Sequence, residues 1–205
     1  MEKQLKMNTK NYITTGVAMK RLNTLLLVIG LFVAGCSVNE SLNGPELASS
    51  QKESIKLPAK AANSIEKIST FNKEINGVEG GRINFGFDYE SVDGSTVSVS
   101  GKLTIPANAF QYTTNITIIV DSDEAVVDFY PSPVTFDIPL VLNLTFEGLD
   151  LSNINASNTD FFYVNNSASN YELVSSSLKL VDQENGKLVV TEALLPHFSR
   201  YGFFN

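Results

Sequence analysis

Tryptophan is absent from this chain, and cysteine and histidine occur once each among 205 residues. A single thiol excludes an intrachain disulfide. One His with one Cys also excludes a zinc site of the usual His/Cys kind. Basic residues are in short supply, 15 Lys and Arg against 22 Asp and Glu. That balance argues against nucleic acid, which asks for a basic footprint. Long hydrophobic runs are scarce: the one unbroken run near the start is too short for the ~20 residues that span a bilayer. Apolar residues are nonetheless 43% of the chain, with 13 Phe and 7 Tyr. This is too apolar for wholesale disorder, and the length suits one domain with extensions.

Charge is unevenly placed. Residues 1–35 hold Lys3, Lys6, Lys10, Lys20 and Arg21 against Glu2 alone, so the remainder is more acidic than the net −7 of the whole. Lys20 and Arg21 precede the apolar run Leu25–Ala34, and small residues Ala34 and Gly35 follow it. This is the three-part layout of a secretory signal peptide. Residues 1–18 precede a second Met-Lys pair, so translation is expected to start at Met19. The stretch Val33-Ala34-Gly35-Cys36 resembles a bacterial lipoprotein lipobox. The resemblance implies a diacylglyceryl group on the Cys36 thiol, cleavage before Cys36, and acylation of the freed amine. It implies no other cofactor. Two or three acyl chains anchor stably where one is marginal. Ser37, where Asp would signal inner-membrane retention under the enteric sorting rule, points to the outer membrane of the cell envelope.

Three segments are therefore expected: a signal peptide over 1–35, lipidated Cys36 with a flexible tether to 63, and a folded domain over 64–205. The tether is polar, has two prolines and shows no clear period. At that length a flexible chain spans roughly 30 Å.

From residue 82 the apolar period is two. Ile83, Phe85, Phe87 and Tyr89 alternate with polar residues, as do Val97, Val99, Leu103 and Ile105. The series Val134, Phe136, Ile138, Leu140, Leu142, Leu144 and Phe146 is apolar throughout. Such alternation marks antiparallel strands with one face to the core. Further strands are expected over 113–120, 125–130, 160–165, 172–181, 187–194 and 197–203. The stretches 91–95 and 182–187 carry turn signals, the latter through Asn185-Gly186. Pro106, Pro131, Pro133 and Pro139 are expected at strand ends or edges, and 149–158 as a long loop or helical turn. About nine short strands predict an all-β fold, a single antiparallel β-sandwich. A transmembrane barrel fits less well, because the alternate faces read Ser, Thr, Asn and Lys.

Within the body, Gly80-Gly81, "LTIPANAF" (103–110), "TTNITIIV" (113–120) and "FYPSPVTFDIPLVLNLTF" (129–146) resemble the ZU-five module of netrin receptors and ankyrins. The closing "LLPHFSRYGF" (195–204) is similar to that module's last His-Phe-Ser strand. Asn108 departs from the pattern, which favours Gly there. The resemblance implies a β-sandwich for contacts with other proteins. It also implies a candidate self-cleavage at Phe198–Ser199, with Ser199 as nucleophile and His197 taking its proton. Along a regular strand those two residues lie about 6.6 Å apart, too far for a hydrogen bond. The closing-strand reading, with Phe198 in the core, is favoured.

Other chemistry is weaker still. A Ser-His-Asp hydrolase lacks its Gly-x-Ser-x-Gly turn and βα alternation. Calcium favours hard oxygen ligands on loops. Asp121, Asp123, Glu124 and Asp128 offer one such set, and Asp150, Asn153, Asn155, Asn158 and Asp160 another. Neither has EF-hand spacing, so no metal is expected, and a calcium-dependent adhesion module stands as an alternative. Exposed Thr, Ser and Asn suit protein or glycan contacts. The expected function is that of a non-catalytic, lipid-anchored envelope protein.

Overall fold

The computed structural model describes residues 52–62, 70–165 and 170–205. The expected signal peptide, its Val33–Cys36 motif and most of the tether lie outside these residues. Eleven strands form among them: β1 Thr70–Asn76, β2 Gly81–Glu90, β3 Thr96–Ile105, β4 Thr113–Val120, β5 Val126–Tyr130 and β6 Val134–Glu147. Then come β7 Asp160–Asn165, β8 Asn170–Leu173, β9 Leu178–Asp182, β10 Lys187–Phe198 and β11 Arg200–Phe204. They build two antiparallel sheets, one ordered β1-β4-β5-β11-β7-β8 and the other β2-β3-β6-β10-β9. The expected β-sandwich is present, with eleven strands among the described residues where about nine were expected.

Period two does what it should in the five-stranded sheet. The core-facing residues of β2 and β3 are all buried, while Arg82, Asn84 and Asp88 face water. Gly101 continues the inward series of β3. The Phe85 ring fills its place, 2.0 Å from where a Cβ would sit, so no larger residue fits. Leu140, Leu142, Leu144 and Phe146 of β6 are buried in turn. Burial of each such side chain is worth about 1.5–3 kcal/mol. Between β9 and β10, Gly186 supplies the left-handed turn (φ 59°) that Asn185-Gly186 predicted. Asn108 is left-handed too (φ 64°). Asn is among the non-glycine residues that best tolerate this conformation.

Several expectations need correction. Pro139 lies inside β6, a central strand, rather than at an end or edge. It is tolerated because β3 pairs with β6 only from Val141 onward, and the β6–β10 register breaks between Leu195 and His197. Pro196 lies in the same discontinuity, where a missing N–H breaks no ladder bond. The strand expected over 172–181 is two strands, β8 and β9, in different sheets. The closing strand expected over 197–203 is also divided: β10 ends at Phe198 in one sheet and β11 begins at Arg200 in the other. β1 was not expected at all.

The domain also begins earlier than residue 64. Residues 52–62 form a strap that belongs to the sandwich, not to a tether. Ile55 and Leu57 are buried in the core. Glu53 and Asn205 exchange backbone hydrogen bonds, and Ile55 N–H donates to Phe203 O at 3.0 Å. Further along, Leu57 N–H donates to Asp123 O, and Lys60 bridges to Ser91. The Tyr89 hydroxyl donates to Pro58 O at 2.7 Å. Burial and the Asp123 charge push that phenol up to about 12. The strap therefore ties the six-stranded sheet to the β2–β3 turn of the other.

Candidate functional site

The sequence directs attention to His197-Phe198-Ser199, and the fold makes this the corner where the chain leaves one sheet for the other. Phe198 is fully in the core, stacked on Phe129 and edge-on to Phe136 with centroids 4.7 Å apart. Its carbonyl accepts a hydrogen bond from Ser132 Oγ at 3.0 Å. The Ser199 carbonyl accepts from Phe129 N–H at 2.9 Å. Tyr201 closes the corner. Its hydroxyl donates to the His197 carbonyl four residues upstream at 2.7 Å and meets His197 Nδ1 at 3.2 Å. This is the geometry of a tyrosine corner in Greek-key sandwiches.

The network assigns the histidine tautomer. The single hydroxyl proton of Tyr201 goes to the carbonyl, so its oxygen accepts from Nδ1–H. The His197 ring packs edge-on against Tyr163, 4.4 Å between centroids. The hydrogen bonds of His197 thus run to Tyr201 and not to Ser199. The three residues of the motif come together as a folded corner rather than as a nucleophile with its base in contact.

A cleft of about 240 Å³ opens beside this corner. Tyr201 and Val174 are its buried lining, and Pro139 and Pro196 sit where the ladder is interrupted. Leu173 (65% exposed), Leu194 (42%) and Glu172 are at its rim. Burial, then the Tyr163 and Glu172 charges, push the Tyr201 phenol well above its ordinary value. The hydroxyl stays protonated, as its donor role requires. Sequence reasoning missed this cleft, since its walls come from β6, β7, β8, β10 and β11 and share no local pattern.

The acidic stretches fare differently. Asp121, Glu124 and Asp128 converge on the Arg200 guanidinium at 2.9, 3.2 and 3.4 Å. Glu124 also pairs with Lys56 of the strap. That hydrogen bond foremost holds the Glu124 carboxyl low. At Asp128 burial outweighs Arg200 and raises the carboxyl. The position a cation would take among these oxygens belongs to Arg200, which only the fold reveals. Asp123 is not among its partners. The other acidic set is scattered. Asp150 accepts from Ser152, Asn155 from Ser157 N–H, and Asp160 pairs with Lys179. Asn153 and Asn158 lie exposed in the same loop.

A larger groove of about 670 Å³ runs between the strap, the β2–β3 turn and the β9–β10 turn. Its polar groups serve their own turns. Asp93 accepts from Ser91 Oγ and from Ser95 N–H and Oγ, which pulls its carboxyl down to about 2. Gln183 donates to the Leu151 and Ile154 carbonyls.

No known family model matches the chain, and no curated protein matches it significantly. The fold and the corner define its class, a two-sheet β-sandwich with an inter-sheet tyrosine corner.

Proposed function

We propose that this is a lipid-anchored protein of the bacterial cell envelope. It is non-catalytic and presents its β-sandwich for contacts with proteins or glycans, most simply from the outer membrane. The observation that carries the reading is the run Leu25–Ala34 ending in Val33-Ala34-Gly35-Cys36. The single cysteine of the chain stands where a lipid would be attached, and the sandwich from Lys52 onward contains none. The strap supports the reading by setting where the tether ends. Ser37–Gln51 alone separate Cys36 from the first described residue of the domain. Fully extended, that segment reaches at most about 50 Å. The sandwich is then held close to the membrane surface. The ZU-five resemblance, with its surface for protein contacts, agrees with this role.

Metabolic labelling with palmitate tests the proposal. Wild type is expected to incorporate label and fractionate with the membrane. Cys36→Ala is expected to lose the label and leave the membrane fraction. Label in Cys36→Ala, or none in wild type, overturns the reading.

A further inference from the structure

The cleft beside the corner is built to persist. Pro139 and Pro196 have no N–H with which to close the broken β6–β10 ladder. The Tyr201 hydroxyl fixes the His197 backbone and ring together, and Tyr163 packs edge-on against that ring. A pocket whose walls are already fixed loses little on binding.

Its chemistry is one-sided. The lining is mostly apolar and aromatic, with the Ser175 hydroxyl beside it, and its one carboxylate is Glu172, at the rim. No Lys or Arg pairs with that carboxylate among the described residues. A cavity of ~150 Å³ holds a benzene ring, so one of about 240 Å³ admits a single or fused ring. Aromatic faces and edges favour a planar body, and a nearby carboxylate with ring faces favours a cation. We propose that this cleft is a binding site for a small aromatic ammonium ligand, with its ring against Tyr163 and the two prolines, over the buried Tyr201, and its amine at Glu172. This inference is independent of the lipid anchor.

The absence of tryptophan makes the test direct, because an indole ligand can be excited without exciting the protein. Fluorescence anisotropy of tryptamine is measured against the full-length protein, with indole-3-acetate as the ring-matched acid. Tryptamine is expected to bind saturably and about tenfold tighter than the acid, the scale of exchanging an exposed charge attraction for a repulsion. Glu172→Gln is expected to bring the two probes within about twofold of each other. Leu173→Arg places a cation at the same rim and is expected to weaken tryptamine at least about tenfold. Both positions are exposed, so the fold is retained, and unchanged melting confirms it. No saturable tryptamine binding overturns the proposal. So does equal affinity for amine and acid in wild type, or a preference that survives Glu172→Gln.

Discussion

The two ends of the chain's body are stabilised by different means. The β2–β3–β6 region is held by local alternation: each strand states its own inward face, and neighbours follow in simple antiparallel register. The strap and the β10–β11 corner are held by ties between distant residues. Examples are Ile55 with Phe203, Ser132 with Phe198, and Arg200 with Asp121. The first region is robust because each position carries a small, repeated share of the burial. The second depends on a few residues that each join two or three elements.

Truncation at the corner and in the regular sheet should break that comparison open. Phe198→Ala removes a ring packed against Phe129 and Phe136 and is expected to cost about 3–5 kcal/mol. Val99→Ala, a buried β3 residue within that regular register, is expected to cost about 2 kcal/mol. Denaturant midpoints measure both, and equal losses would erase the distinction. Next in size is Tyr201→Phe. It keeps the buried ring but leaves the His197 carbonyl and Nδ1–H without their partner, an expected cost of about 1–3 kcal/mol. The same unfolding curves report it, and a neutral result would remove the hydroxyl from the corner's support.

The smallest effect falls in the β2–β3 turn. Asp93 titrates at about 2 in the folded protein against an ordinary 3.8, because the Ser91 and Ser95 donors favour its charged form. A depressed carboxylate stabilises above its unfolded value and loses that contribution as pH falls through its folded value. Asp93→Asn is therefore expected to flatten the stability profile between about pH 4 and pH 2. Thermal melts across that range measure it. An unchanged acid limb would show that the turn does not depend on the charge.

The same division explains what was legible in the sequence. Strands β2, β3 and β6 were readable because each alternates over eight or more residues. The strap was not, because Ile55 and Leu57 offer a single alternation between polar neighbours. β1 presents Ile75 as its one fully buried side chain, so its pattern is too weak to register. The corner at Ser199 carries no glycine or proline of its own, and Tyr201 through Phe204 are buried on both faces, which hides the break. At the candidate site, His197 and Ser199 were conspicuous as residue types, but their partners Tyr201, Tyr163 and Phe129 are matters of topology. Arg200 likewise gives no sign in sequence that three carboxylates will meet it.

The placement of β11 has a consequence for the order of events in folding. Residues 200–204 come last among the strands, yet they lie in the interior of their sheet, between β5 and β7, with the strap paired alongside. β5, paired with β4, and β7, paired with β8, each lack their second neighbour until those residues arrive. Contacts that span most of the chain also carry a high loop-closure cost and slow the search. A chain of this design completes its native topology only after its final strand is available, and so remains pliant while the earlier strands are still being delivered.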